Sequence, residues 1–177
     1  MDEDIILEEE AIADERAAEA ARLGTAVLHQ PIRELATLKP VICVPPGTSV
    51  RAAIDHMNEQ NVGCVLVEEH GRLTGIFTER DVLTKVVGTN LDVDRTRVDA
   101  VMTRDPESLR PDDRVSYALN KMSVGGFRHI PLVDDDGHAV GVVSMRNVVD
   151  YMVDLFPAEV LNLPPEPRVI ARAREGA

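Results

Sequence analysis

The sequence predicts a mixed α/β (α+β) fold in which two pseudo-twofold-related β-α-β-β-α repeats pack as one module. Three observations predict it. First, Ile76-Phe77-Thr78-Glu79-Arg80-Asp81-Val82-Leu83 returns 66 residues later as Val142-Val143-Ser144-Met145-Arg146-Asn147-Val148-Val149, each copy following a glycine, Gly75 or Gly141. Self-similarity at such a period marks one supersecondary unit built twice. Second, Val50, Ala53, Ile54 and Met57 match Val115, Ala118, Leu119 and Met122 at an offset of 65. Both sets follow the i, i+3, i+4, i+7 spacing of a helix with one buried stripe. Third, a unit of about 60 residues hides too little surface to be comfortably stable, so the two are expected to pack as one domain of about 120 residues with two equivalent clefts at the joint.

In chain order, each repeat opens upstream of its first strand, where Ile32, Leu35, Thr37 and Pro40 match Val98, Val101, Thr103 and Pro106. The first helices follow. An extra glycine at Gly125-Gly126 is then expected to restore the offset to 66, matching strand Val65-Leu66-Val67 to Pro131-Leu132-Val133 and turn residue Gly71 to Gly137. The closing helices set Val82, Leu83, Val86 and Val87 against Val148, Val149, Met152 and Val153. The expected organisation is an acidic helical extension over 1–29, repeat 1 over 30–88, a linker over 89–97, repeat 2 over 98–155 and a proline-containing tail over 156–177. From about Glu8 to Leu23 the extension is rich in helix formers, with Ala13, Ala17 and Ala20 as a narrow seam and Gly24 as its expected C-cap. Pro164, Pro165 and Pro167 forbid a continuous helix in the tail.

Composition narrows the partners. A net charge of −12 without a concentrated basic patch argues against nucleic acid. The apolar runs are far shorter than the roughly 18 residues of a membrane span, and the acidic start Met1-Asp2-Glu3-Asp4 is unlike a signal peptide, so a cytoplasmic protein is expected. Cys43 and Cys64 sit among apolar neighbours, as buried thiols do in a reducing compartment, and no Cys-x-x-Cys or histidine cluster supports a metal site. The common hydrolase, nucleotide-loop and zinc-protease motifs are also missing, which lowers the expectation of catalysis.

What chemistry there is rests on Thr78-x-x-Asp81 and Ser144-x-x-Asn147. A hydroxyl opening a helix with a polar residue three positions on is how a helix caps its own free N–H groups. That explains the hydroxyls, but a capping box prefers the longer Glu or Gln at the second position. A short carboxylate or amide at a strand-to-helix junction could instead accept from the vicinal hydroxyls of a ribose, with the helix N-terminus facing a phosphate. Spacing alone favours capping, and both roles can coexist.

Gly75-Ile76-Phe77-Thr78-Glu79-Arg80-Asp81, preceded by Val65-Leu66-Val67-Glu68 and by Pro40 through Pro46, resembles a CBS domain. The second copy resembles the family more closely still: Val101-Met102-Thr103-Arg104-Asp105-Pro106, then Arg128-His129-Ile130-Pro131-Leu132-Val133-Asp134, then Gly141-Val142-Val143-Ser144-Met145-Arg146-Asn147. Roughly residues 30 to 155 thus resemble a tandem CBS pair, or Bateman module. The resemblance implies a non-enzymatic regulatory module. It would bind an adenosine-containing ligand (AMP, ADP, ATP or S-adenosylmethionine) in clefts between the repeats, form a homodimer and signal to an effector protein in trans. It implies no catalytic cofactor and no metal. The competing reading is a ligand-free scaffold or dimerisation module.

Two groups of residues follow from the resemblance. The first cleft would set Asp81 on the ribose and Thr78 towards the phosphate, beside Arg80. Its facing wall would be Thr103, Asp105, Pro106, Phe127, Arg128, His129 and Ile130. Arg128 is a good phosphate donor and His129 adds a charge or a hydrogen bond; without the resemblance, the pair is equally well a solvated turn before a strand. The second cleft would set Ser144 and Asn147 against Thr37, Lys39, Pro40, Val62, Gly63 and Cys64. There Asn147 is expected as a neutral acceptor and Val62-Gly63 stands in place of Arg128-His129. A hydrogen bond to a charged group contributes about 1.5–3 kcal/mol against roughly 1 for a neutral one, so the first cleft is expected to be the stronger and the second weak or empty. With no Trp, two Tyr and three Phe in the chain, adenine would lie between aliphatic walls such as Ile42, Ile76, Ile130 and Val142.

Overall fold

A computed structural model describes residues 24–35 and 41–155. Residues 24–29 are helical, so Gly24 is itself a helical residue and not the C-cap expected of it. The seam at Ala13, Ala17 and Ala20 and the tail beyond 155 lie outside the described residues.

The first repeat runs β1 (Cys43–Val44), α1 (Val50–Gln60), β2 (Cys64–Glu69), β3 (Arg72–Thr78) and then a helical segment. That segment begins as an α turn (α2, Glu79–Asp81), widens into a π turn (Val82–Val86) and closes as a 3-10 turn (Val87–Thr89). The second repeat contributes β4 (Thr103–Arg104), α3 (Val115–Gly125), β5 (His129–Val133), β6 (Ala139–Ser144) and α4 (Met145–Leu155). Ser49 caps α1 by accepting from the Ala52 N–H at 3.2 Å. The stripes expected on the two first helices are the faces that pack: Val50, Ala53 and Met57 on α1, and Val115, Ala118 and Met122 on α3, are all buried.

Strands β1 to β4 form one sheet in that order, β1 parallel to β2 and the others antiparallel, while β5 and β6 form an antiparallel pair. Leu109 bridges Leu132 in parallel, as Val44 pairs with Val67. Strand β2 is buried on both faces. Val65 and Val67 point into the first core with Phe77, whereas Cys64 and Leu66 point with Ile76 into the joint, where Ala139 and Val142 of the second repeat meet them. Burying each such apolar side chain contributes about 1.5–3 kcal/mol.

The opening segments are exchanged between the repeats. Ile32 and Leu35, which precede the strands of repeat 1, are buried in the second core with Val115, Ile130 and Val143. Val98, Val101 and Met102, which precede the strands of repeat 2, are buried in the first core with Val50 and Phe77. Matching backbone bonds fix both crossings: Ile32 N–H donates to the Asp113 carbonyl at 2.8 Å, and Val98 N–H to the Thr48 carbonyl at 2.8 Å. Strand β4 then pairs with β3, Thr103 opposite Ile76 and Arg104 opposite Gly75.

The expected register changes. The added residue of repeat 2 is not at Gly125-Gly126. Gly126 ends α3 in the left-handed region (φ 67°) as Asn61 ends α1 (φ 50°), and 126 − 61 is 65. Cys64 pairs with Thr78 and His129 with Ser144, so 129 − 64 is still 65 while 144 − 78 is 66. The extra residue therefore falls in the β5–β6 hairpin. The strand match is Val65-Leu66-Val67 to Ile130-Pro131-Leu132, and the counterparts of Gly63 and Cys64 are Arg128 and His129. The closing helices bury only one side. Val86 and Val148 are buried, while Leu83, Val87, Val149 and Met152 are exposed.

The glycine ahead of β3's last residues has a steric reason. A Cβ on Gly75 would overlap the Met102 thioether, with Cε and Cγ 2.8 and 2.9 Å away. Gly75→Ala is therefore expected to lower stability by about 1–3 kcal/mol through overpacking. Gly47→Ala, where no atom lies within 4 Å of the added Cβ, is expected to stay within about 0.5 kcal/mol of the parent in urea unfolding.

Candidate functional site

At both strand-to-helix junctions the short residue closes the capping box that spacing had reserved for a longer one. Asp81 Oδ2 accepts from the Thr78 N–H at 2.9 Å and from Thr78 Oγ1–H at 2.7 Å, and the Asp81 N–H returns to Thr78 Oγ1 at 3.4 Å. Asn147 Oδ1 accepts from the Ser144 N–H at 2.7 Å and from Ser144 Oγ–H at 2.6 Å, and its own N–H donates to Ser144 Oγ at 3.2 Å. Both side chains are buried.

The two boxes differ in what they have left to offer. An ionised carboxylate has about four acceptor positions. Two on Asp81 are taken by Thr78, and Lys85 Nζ takes a third, 2.7 Å from Oδ1. Asn147 has a single carbonyl oxygen with two lone pairs, and Ser144 uses both. The Asn147 carbonyl oxygen is thereby committed to Ser144, so Asn147 is not the neutral acceptor expected of it.

A cavity of about 690 Å³ lies at the second cleft, within the range of small-molecule sites. Ser144, Asn147, Val62, Gly63 and Cys64 line it as expected of that cleft, together with Val41, Ile42, Leu66 and Val142 as aliphatic walls. Arg128 and His129, expected in the first cleft, line this cavity instead. The corrected register explains why. The cavity straddles the pseudo-twofold axis, taking Gly63, Cys64 and Glu79 from one repeat and their counterparts Arg128, His129 and Met145 from the other. Thr37, Lys39 and Pro40 lie outside the described residues.

The remaining residues of the first-cleft group are dispersed. Thr78, Arg80 and Asp81 do not line the cavity. Arg80 reaches across instead, Nη1 donating to the Gly126 carbonyl at 2.8 Å. Thr103 is exposed on β4, Pro106 is half-buried, and Ile130 is fully buried in the second core. Phe127 packs against that same core. Asp105 (φ 44°) lines a separate polar cavity of about 260 Å³ with Thr74, Arg97 and Arg104. Sequence reasoning missed Lys85, Glu79, Arg146 and Asp150. Lys85 was readable in principle as the i+4 partner of Asp81; the others depend on which side chains the joint brings together.

His129 is the titratable centre of the cavity. A Cβ on Gly63 would stand 2.8 Å from both Cε1 and Nε2 of the ring, so glycine is what lets the imidazole lie against the β2 backbone. Burial lowers the His129 pKa below 6.5; Glu79 pulls it up and Arg128 pushes it down. Beside it, burial and Glu79 raise the Cys64 thiol to about 12, so it stays protonated and neither attacks nor ligates as a thiolate. Both cysteines are free thiols, Cys43 exposed and Cys64 buried. Away from the cavity, the exposed hairpin gathers Asp134, Asp136 and His138 within 4.8 Å. Asp134 spends itself there on the turn, Oδ1 accepting from the Asp136 and His138 N–H groups and Oδ2 facing His138 Nδ1 at 3.0 Å. Among the described residues no helix is long and apolar enough to cross a membrane.

Comparison with known proteins adds a family. The family model for the CBS domain matches residues 32–88 and again 98–154. An uncharacterized 17.7 kDa protein of Acidianus ambivalens is 34% identical over 125 residues, 70% of this chain and 74% of that protein. The chain also matches longer proteins, spanning 20% of an Arabidopsis thaliana CBS domain-containing protein. Two solved structures superpose on it. A CBS domain protein of Pyrobaculum aerophilum complexed with AMP is 25% identical, with a TM-score of 0.61, over 66% of this chain and 88% of that one. The CBS domain pair of protein MJ0100 in complex with 5′-methylthioadenosine and S-adenosyl-L-methionine is also 25% identical, with a TM-score of 0.62, over 70% and 99%.

Protonation of His129 gives a stability signature. Its pKa is below 6.5 when folded, so on acidification through 6.5 the unfolded chain takes up the proton first and stability falls with pH. Urea midpoints measured from pH 7.5 down to pH 5 are expected to drop more steeply in the parent than in His129→Gln. Equal slopes would remove His129 from the account.

Proposed function

The chain belongs to the CBS domain family as a tandem pair, and on that premise we propose that it is a regulatory module binding an adenosine-containing ligand between its repeats and signalling to a partner protein in the cytoplasm. The observation that carries this reading is the 690 Å³ cavity at the joint. Its chemistry suits the ligand class. Val41, Ile42, Val62, Leu66 and Val142 offer flat aliphatic walls to a base, and the polar Ser144 and Asn147 line the same cavity. Arg146 is partnered by Asp150 on its own helix at 3.6 Å, so we assign a phosphate to Arg128, which lines the same cavity. We therefore assign the ligand to the Ser144–Asn147 cleft and not to the Thr78–Asp81 cleft.

The exposed row of Leu83, Val87, Val149 and Met152 on the closing helices supports a homodimer, with a second copy covering that face. Leu83→Glu is expected to give a monomer by light scattering if the row is the interface. The scaffold reading has one observation in its favour: both capping boxes are complete within the fold, so Thr78 and Ser144 have a structural task without any ligand.

A thermal-unfolding scan with millimolar AMP, ADP, ATP, S-adenosylmethionine and guanosine controls separates the two readings. A ligand at roughly 100 times its dissociation constant adds about 2.7 kcal/mol, a plain rise in midpoint. Arg128→Ala is expected to weaken AMP by about 1.5–3 kcal/mol while leaving adenosine unchanged. Asn147→Ala is expected to weaken both and to cost about 1 kcal/mol of cap stability. No shift with any adenosine compound would leave the scaffold.

A further inference from the structure

The two clefts are copies of one design, yet the 690 Å³ cavity is lined by the Ser144–Asn147 pair and not by Thr78 and Asp81. We propose that Lys85 is a built-in occupant of the first cleft. On this account the module takes one adenosine ligand per chain, at Asn147, and removing the Lys85 charge opens the position at Asp81. This rests on the ligand reading above.

The repeats differ at the position that faces the box residue. Four residues after the box residue, repeat 1 has Lys85 and repeat 2 has Tyr151. The Lys85 ammonium lies 2.7 Å from Asp81 Oδ1 and donates to the Val101 carbonyl at 2.8 Å. Val101 belongs to the opening segment of the second repeat, so Lys85 binds the acid of one wall to the backbone of the other. With Thr78 on Oδ2, three of about four acceptor positions on Asp81 are filled, and a pair of vicinal hydroxyls finds one.

Arg80 makes a second crossing. It spans to the Gly126 carbonyl, while its counterpart Arg146 is held on its own helix by Asp150. The residue equivalent to Asp150 is Thr84, whose hydroxyl donates to the Arg80 carbonyl and offers no charge to retain the guanidinium. Two cations thus bridge the first cleft, and in the second the cation is kept on one side. The backbone differs at the same place: Lys85 sits in the π turn Val82–Val86, whereas α4 is α-helical throughout from Met145 to Leu155. Widened turns of this kind recur at functional positions.

The test is calorimetric titration of the full chain with AMP, for the parent and for Lys85→Gln, which keeps a donor for the Val101 carbonyl but loses the charge. The parent should bind one equivalent per chain. Lys85→Gln should bind two, and adding Asp81→Ala should return it to one. Two equivalents in the parent, a count that needs no variant, or one equivalent in a folded Lys85→Gln protein would each overturn the Lys85 proposal and leave the cavity assignment standing. Absence of AMP binding in both proteins would overturn the ligand reading itself, and the Lys85 proposal with it.

Discussion

The exchange of opening segments is the constraint on which the rest depends. Neither core is complete without the opening segment of the other repeat: Ile32 and Leu35 fill the second, Val98, Val101 and Met102 the first. This locks the repeats into one orientation, because sliding one against the other would empty both cores at once, and removing buried side chains of that size costs about 2–5 kcal/mol each. The joint between β2, β3 and β6 is then fixed, and with it the position of every residue on the pseudo-twofold axis. A cavity between two rigidly coupled units can sense a ligand only by differences in how the units bind it, since a ligand shifts an equilibrium by its differential affinity for the two states. The groups that meet across this axis are Gly63 and His129, with Glu79 beside them.

The symmetry of the backbone is broken by a few side chains. Asp81 with Lys85 becomes Asn147 with Tyr151, and Thr84 becomes Asp150. Each change alters where a positive charge goes. In repeat 1 the cations Arg80 and Lys85 cross the cleft, and in repeat 2 Arg146 stays beside Asp150. Arg128, whose counterpart is Gly63, then supplies a charge to the cavity that duplication alone would not have put there. In this way the two nominal clefts of a duplicated fold have come to differ, and the 690 Å³ cavity lies against Asn147 and not against Asp81.

Much of this was legible in the residues. The repeat, the buried stripes of α1 and α3 and the polar pairs at the helix starts are local periodicities, and all three stand in the structure where spacing put them. The register of the second repeat was not legible. Gly125-Gly126 looks like an insertion in sequence, yet Gly126 does for α3 what Asn61 does for α1, and the extra residue is absorbed in an exposed hairpin, where added length costs little. That one-residue difference reassigns Arg128 and His129, because it makes them the counterparts of Gly63 and Cys64 on the axis. The expected order of the clefts assumed that a carboxylate is available for being present. Whether Asp81 is available depends on Lys85 and Thr78 filling its acceptor positions, and that follows from side-chain reach across the joint.

A crystal structure of the full chain grown with millimolar AMP would test the central claim most directly. The account predicts the nucleotide against Asn147, Gly63 and His129, with its phosphate on Arg128 and the Asp81–Lys85 pair intact. A nucleotide seated on Asp81 with Lys85 displaced, and the axial cavity without it, would contradict the account.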